Sequence, residues 1–546
     1  MRNTIIRRAA VGLVAISMLA ACGGTSGGTS GGTSSAPQLL RVGSDDEIDS
    51  LNPFVGLNSL TFSTFELTYP YLVMYDKKLE FVPHFAKDWS VSADGKVWTF
   101  HTVPNATWSD GQPLDAEDVA WTFNTIVKFQ DKGAGNWAST VAHLTKVTAP
   151  DKNTAVFTYD AAVANVLSQV QQVPILPEQF WGKYADKGSF KSVRMTTPVI
   201  SGGPFIVEAY EKNATAALKA NPKYWGTKPK IAGISLTMYK EDDTMIAALR
   251  NHEIDLIERL PPNGVKPLET AGFKIDQATS PALQDFIFNS NPKKPRNREL
   301  LDPQVREAFA ASFNLPEMVD TVWLGKASLG NSIVPPATGK WSDPSLKATA
   351  YDPARANQIL DDLGYKPGAD GIRIANGHRM SYEIVSPDLI SGDRMFAMVR
   401  DWLKAIGVEV KQKKVDDSTA FDLVTAPKGK YLDFDLAMWT WGMLPDPDFA
   451  LSVMLCSQYG SWNDTGYCNP TYDKLYEEQG TAIDEAKRKE IVYKMQQILA
   501  HDRPYIFLGY KDHISAYDKA WSGFQMTMYG PFNGLAVTSI IGAHKN

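Results

Sequence analysis

Residues 82–128 constrain the fold more than any other stretch of the chain. The Asp94-Gly95 pair predicts a tight hairpin turn, because glycine readily adopts the positive φ that such a turn needs. The alternating residues after it predict a strand. Asp115, with Asp118 three residues later, predicts a helix start close to a capping box. The stretch is therefore expected to form a β-hairpin unit followed by an amphipathic helix.

The same stretch carries a literal pattern of fixed residues. It reads P-x-x-A-x-x-W-x-x-S-x-D-G-x-x-x-T-F and then W-S-D-G-x-P-x-x-A-x-D-V. This pattern resembles the signature of the family 5 solute-binding proteins, the peptide and nickel class of receptors for ATP-binding-cassette importers. Residues 221–231 resemble the family's N-P-x-Y-W-G-x-x-P-x-I signature, and residues 302–308 its D-x-x-V-R-x-A signature. The resemblance covers nearly all of the mature chain.

The resemblance implies an α/β fold of the two-lobed, periplasmic-binding-protein-like kind, of class II type, with an extra domain inserted in the first lobe. A strand near Phe286 is expected to cross between the lobes, so that hinge closure around a ligand is expected. The expected domains are a signal peptide (1–21), a lipidated Cys and tether (22–36), lobe I (37–74, 201–286 and 512–546), inserted domain II (75–200) and lobe III (287–511).

Length and composition agree with a large globular protein. The 546 residues are too many for one hydrophobic core, so two or three domains are expected. Apolar residues make up 44% and charged residues 21%, which excludes a disordered chain. The net charge of −6 gives no reason to expect a nucleic acid partner.

The N-terminus predicts export and lipid anchoring. Three arginines precede an apolar run at residues 9–18, which is too short to span a membrane comfortably and suits a signal peptide. The run ends in Leu-Ala-Ala-Cys, which resembles a bacterial lipobox with Cys22 as the lipidated residue. The alternative is ordinary signal peptidase cleavage beside an incidental cysteine. A Gly/Ser/Thr-rich tether follows, so the chain is expected outside the cytoplasm, at the cell surface or in the periplasm, anchored to the cell membrane.

The other two cysteines, Cys456 and Cys468, lie in one short segment. An exported protein meets oxidising conditions, so we expect a disulfide between them. The alternative is two buried free thiols.

Trp439 and Trp441 mark the segment that we expect to contact a ligand. Residues two apart on a strand point to the same face, so both indole rings would line a cleft, where aromatic faces suit peptide side chains, sugar rings or cations. The alternative is that each tryptophan packs in a core. Asn58 and Ser59, in a loop that faces the ligand in the family, are expected to contact it or else to be ordinary polar loop residues.

In the family's peptide-binding members, an Asp of this segment pairs with the peptide's α-ammonium group. Aligned on Gly442 and Asp446, that position falls at Met443. A buried ammonium group without a carboxylate is costly. Either Asp446 or another acid substitutes for it, or the ligand lacks an ammonium group.

Our first hypothesis is a monomeric receptor that captures oligopeptides and delivers them to an ABC permease in the membrane. The second is the same role for an oligosaccharide or other small polar solute. An exported hydrolase is a remote third, because no motif places a nucleophile: the Gly-x-Ser-x-Gly strings lie in the tether, and no His-Glu-x-x-His occurs. We expect no enzymatic activity, no cofactor and no metal site.

Overall fold

A computed structural model describes residues 38–185, 187–387, 392–425, 434–532 and 537–546. The residues from Gln38 to Asn546 form one compact unit. The predicted signal peptide, Cys22 and the tether lie outside the described residues. No described helix is long and apolar enough to cross a membrane.

The first part of the chain contains a small antiparallel sheet whose strands lie in the order β4 (Ala86–Val91), β5 (Val97–Thr102), β7 (Thr154–Tyr159) and β6 (Leu144–Asp151). Its turn at Gly95 has φ 71°, and Asp115 caps the helix α2 (Ala116–Phe129) in a capping box with Asp118, so the predicted hairpin and helix are confirmed. The elements are β1 (Leu39–Ser44), α1 (Ser59–Thr68), β2 (Val73–Tyr75), β3 (Phe81–Pro83), β4 (Ala86–Val91), β5 (Val97–Thr102), α2 (Ala116–Phe129), β6 (Leu144–Asp151), β7 (Thr154–Tyr159), α3 (Val166–Gln172) and α4 (Glu178–Ala185).

The remainder of the chain builds most of one large sheet and the helices that cover it. Its next elements are β8 (Phe205–Glu211), β9 (Thr215–Ala220), β10 (Gly233–Met238), α5 (Asp242–Arg250), β11 (Leu256–Ile257), α6 (Pro262–Thr270) and β12 (Lys274–Phe288). They are followed by α7 (Pro303–Ser312), α8 (Leu315–Val322), β13 (Ala327–Leu329), α9 (Pro353–Asp362), β14 (Ile374–Ala375), β15 (His378–Arg379), β16 (Ser381–Pro387), α10 (Gly392–Ala405) and β17 (Glu409–Val415). The last are α11 (Asp417–Thr425), β18 (Leu436–Gly442), α12 (Asp448–Ser452), α13 (Pro470–Thr481), α14 (Glu485–Asp502), β19 (Tyr505–Tyr517), β20 (Trp521–Ser522), α15 (Val537–Gly542) and β21 (His544–Lys545).

The large sheet has the order β17-β16-β18-β12-β19-β11-β1-β10-β9-β8, with β13 also paired to β19. We call the strands from β11 to β8 the first half of the sheet and the strands from β17 to β18 the second half. Two long antiparallel strands, β12 and β19, lie between the halves and connect them. The chain enters the second half through β12 and leaves it through β19.

The pairing of the two middle strands shifts register at two neighbouring places, and the larger shift, which we call the interruption, lies at residues 279–283 of β12. Residues 279 and 283 of β12 pair with residues 512 and 510 of β19, so β12 carries extra residues there. Pro281, which has no N–H to donate, lies inside this interruption. Extra residues bend a strand and weaken its ladder, so the sheet is least constrained between its two halves.

Separate hydrophobic cores lie on the two sides of this interruption. One core joins the small sheet to the first half of the large sheet and contains Trp108, Phe123 and Phe205. Two others cover the two faces of the second half, one around Phe286 and one around Leu283. Alternate residues of β12 thus point to different cores, as the pleat requires.

Candidate functional site

The parallel strands of the second half end at one common edge. β16 pairs in parallel with both β17 and β18, so the carboxyl ends of the three strands lie side by side. Helices α10, α11 and α12 each begin shortly after one of these ends. In open α/β sheets this is the edge at which ligands bind.

Five aromatic side chains form a continuous cluster around this edge, which we call the aromatic patch: Phe421, Trp439, Trp441, Phe449 and Trp462. Neighbouring ring centroids lie 5.8–6.2 Å apart. Trp462 is 44% exposed, which is unusual for so large an apolar side chain. The patch therefore offers an accessible aromatic surface joined to a buried core.

The two predicted tryptophans lie on the same face of β18, as expected, but they are not equally accessible. Trp439 is partly exposed, whereas Trp441 is only 6% exposed and packs in the core. The Nε1–H of Trp441 donates to Oδ2 of Asp464 at 3.2 Å. Trp439 is therefore the better placed of the two to contact a ligand.

Asp446 is engaged within the protein. Nη1 and Nη2 of Arg488 each donate to one of its carboxylate oxygens, both at 2.7 Å, and both side chains are buried. Arg488 also lies 4.8 Å from the ring centroid of Trp341 and donates to Gln479. This geometry does not favour the interpretation of Asp446 as the acid that receives a ligand's ammonium group.

Two other acids lie buried beside the patch. Asp285 is on β12, directly opposite Trp439 of β18, and Asp464 accepts hydrogen bonds from Trp441 and from the hydroxyl of Tyr505. Burial, and then the nearby carboxyl of Asp464, raise the pKa of Asp285 well above its usual value. Burial raises the pKa of Asp464 to about 7, although its two donors oppose the rise. Both carboxyls hold protons far more readily than exposed aspartates do.

Asn58 and Ser59 lie at the start of α1, which packs against β8 at the far end of the first half of the sheet. Ser59 is exposed, and Asn58 makes no side-chain capping bond. Their contact with a ligand remains a prediction.

Cys456 and Cys468 form a disulfide. The bond closes the loop that carries Trp462 and Asp464, and Asn463 in the same loop donates to the carbonyl oxygens of Leu455 and Tyr467. The loop therefore holds one patch residue and one of the buried acids in fixed positions.

The two sides of the interruption also touch directly. The hydroxyl of Tyr529 donates to the carbonyl oxygen of Met443 at 2.9 Å. The N–H of Met443 donates to the carbonyl oxygen of Pro281 at 3.2 Å. Farther away, Nζ of Lys340 lies 3.0 Å from Glu80. Met443, where the resemblance locates the missing carboxylate, is thus buried between the two sides.

The sequence did not single out Phe421, Phe449, Trp462, Asp285 or Asp464. A signal existed for Asp285: it is an acid that comes directly before the apolar run from Phe286 to Phe288, which is typical of a buried strand. Asp464 lies in a polar loop, where an aspartate is ordinary. Among the described residues, no group of three or more His, Cys, Asp and Glu side chains is arranged to hold a metal ion.

Residues 80–462 match the family described as bacterial extracellular solute-binding proteins, family 5. Protein XP55 of Streptomyces lividans is 28% identical over 97% of this chain and 94% of its own length. The nickel-binding periplasmic protein of Escherichia coli is 25% identical over 87% of this chain and 90% of its own. The oligopeptide-binding protein AppA of Bacillus subtilis, solved with a nonapeptide, superposes with a TM-score of 0.75 at 21% identity, covering 94% of this chain and all of AppA.

Proposed function

The chain belongs to the family 5 bacterial extracellular solute-binding proteins, and on that premise we propose that it captures short peptides and delivers them to an ABC importer. The aromatic patch carries this proposal. It places an exposed indole, a half-buried indole and two phenyl rings at the carboxyl edge of the second half of the sheet. Such rings bury much apolar area from peptide side chains at little entropic cost.

The proposed movement is closure of two lobes. We propose lobe I at residues 37–74, 201–286 and 512–546, domain II at residues 75–200, and lobe III at residues 287–511. The interrupted pairing of β12 and β19 supports a hinge at this boundary, since a few strand-terminal residues there can absorb a rotation. A ligand that contacts both lobes would favour the closed form over the open one.

The proposed location is the outer side of the cell membrane. The family is extracellular by description, and the signal-peptide and lipobox patterns support lipid attachment at Cys22. In this arrangement the tether would allow a monomeric receptor to reach a permease in the same membrane. Relatives in this family are solute-binding proteins, and we propose no catalytic activity for this chain.

The test is a thermal-shift screen of residues 38–546, which include every described helix and strand. The panel contains dipeptides to hexapeptides, their N-acetylated forms, and cello-, xylo- and malto-oligosaccharides. A ligand that binds only the native state adds RT ln(1 + [L]/Kd) to its stability and raises Tm. A rise with peptides supports the proposal. A rise with oligosaccharides and none with any peptide would replace it with sugar capture, with Trp439 and Trp462 as stacking surfaces.

A further inference from the structure

Buried acids in the second half of the sheet have polar or cationic partners, with one exception. Those with partners are Glu299 with the Tyr382 hydroxyl at 2.8 Å, Asp435 with Lys294 at 2.6 Å, and Asp446 with Arg488 at 2.7 Å. The exception is Asp285, which is 0% exposed; its neighbour Asp464, 1% exposed, accepts its described hydrogen bonds from the neutral side chains of Trp441 and Tyr505. No Lys, Arg or His of the described residues forms an ion pair with either acid, and no described side chain donates a hydrogen bond to either oxygen of Asp285.

The pair adjoins the aromatic patch. Asp285 lies between Trp439 and Phe507 in the strand register, on the face that packs against the core containing Trp441. Asp464 receives the Trp441 indole hydrogen bond. The Asp285 carboxyl, to which no described side chain donates, therefore lies beside the partly exposed Trp439, at the junction between the accessible patch and the core.

The pair also lies close to the proposed hinge. Asp285 is two residues from Leu283, where the interruption of the β12 pairing ends. The loop containing Met443, which is held to Pro281 and Tyr529, covers the same end of β18. Opening at the interruption would separate these contacts, which lie at the same end of β18 as the acid pair.

On this geometry we propose that Asp285 and Asp464 together bind the ammonium group of the captured ligand, and that the aromatic patch binds the groups next to it. This inference rests on the proposed peptide capture and specifies it further. An ammonium group offers three donors, and Asp285 has two acceptor oxygens without a described side-chain donor. A buried carboxylate needs such a partner to be ionised, and the patch rings add cation–π attraction.

In the proposed binding step, the acid pair exchanges a bound proton for the ligand's ammonium group, so the net charge of the buried site does not change. Without ligand, the acid pair retains a proton, because two buried carboxylates close together resist ionisation. When the ammonium group enters, that proton leaves for the solvent and the cation takes its place. Binding of a free peptide near pH 6 is therefore expected to release up to about one proton, whereas binding of an acetylated peptide releases none.

The experiment compares residues 38–546 in wild-type form with the Asp285→Asn and Asp464→Asn variants. The probes are a lysine-free library of tripeptides to pentapeptides and the same library after N-acetylation. Isothermal titration calorimetry in two buffers of different ionisation enthalpy gives affinity and proton release together. The wild type should bind the free library about 10- to 100-fold more tightly than the acetylated one, and Asp285→Asn should abolish most of this preference.

The control variant is Glu299→Gln, which neutralises another buried carboxyl of the second half on the opposite face of the sheet. It should keep the preference for free peptides. Circular dichroism and Tm establish that each variant is folded. If Asp285→Asn does not fold, Asp464→Asn and the proton release of the wild type decide the matter.

Two results would overturn the inference while leaving peptide capture intact. One is equal affinity of the wild type for free and acetylated libraries. The other is a preference that survives in both Asp variants. If neither library binds to the wild type, both the inference and the proposed peptide capture fail.

Discussion

The buried ion pair of Asp446 with Arg488 gives the sharpest test of which acids serve structure and which serve binding. Replacing Asp446 with Asn removes the carboxylate that is hydrogen-bonded to the buried guanidinium of Arg488 and leaves only the carboxyl of Asp448 nearby. The two side chains are 7% and 4% exposed and joined by two hydrogen bonds of 2.7 Å. Removing one member of such a pair typically costs about 3–5 kcal/mol of unfolding free energy.

The Asp446→Asn/Arg488→Met double variant should recover most of that loss, because the buried guanidinium is removed together with the carboxylate that neutralises it, while Asp448 keeps its hydrogen bond from Gln479. Lys340→Met serves as the comparison. Its partners Glu80 and Glu485 have side chains that are 56% and 62% exposed, so each of these ion pairs contributes about 1 kcal/mol or less to the free energy of unfolding. Urea denaturation followed by tryptophan fluorescence measures all three.

The structural role of Asp446 also predicts its effect on binding. Since both of its oxygens accept from Arg488, Asp446→Asn should change peptide affinity only slightly in protein that remains folded. Unchanged stability together with a tenfold or greater loss of affinity would refute this reasoning, and would restore Asp446 as a ligand residue.

Three further outcomes are expected. Trp462→Ala should weaken peptide binding about tenfold with little change in Tm, because the ring is 44% exposed; a large Tm loss with normal affinity would contradict the patch proposal. Replacing Cys456 and Cys468 with Ser should cost about 3 kcal/mol, since the bond closes a loop with a sequence separation of 12, and denaturation with and without reductant should give the same difference. The folded pKa of Asp464 lies above its unfolded value, so its contribution to the free energy of unfolding is full below about pH 4 and is lost as pH rises towards 7. The Asp464→Asn variant, in which Asp285 and Tyr505 remain beside the site, should therefore show a flatter dependence of stability on pH in this range. An unchanged dependence would show that Asp464 ionises normally.

Local structure followed closely from local sequence. The turn at Gly95 needs a positive φ, and the start of α2 needs an acceptor for its free N–H groups, which Asp115 supplies. Asp302 caps α7 in the same way, with Pro303 at the first helical position. These features depend on residues a few positions apart, so a single sequence contains what determines them.

The candidate site could be predicted from the sequence only in part. The alternation rule correctly put Trp439 and Trp441 on one face of β18. Alternation does not say which of the two lies under a helix or loop, and Trp441 is covered by residues from distant parts of the chain. The partner of Asp446 is Arg488, 42 positions away, and no local pattern links them.

The sequence by itself determined the family, the hairpin and helix of residues 82–128, and the positions of the helix caps, because each depends on side chains within one or two turns or on a fixed order of residues. Tertiary structure alone decided that Asp446 is neutralised by Arg488, while Asp285 and Asp464 lie together without a cation among the described residues. Burial sets the energy of a charge, and burial arises from strands and loops that meet only when the whole sheet has formed.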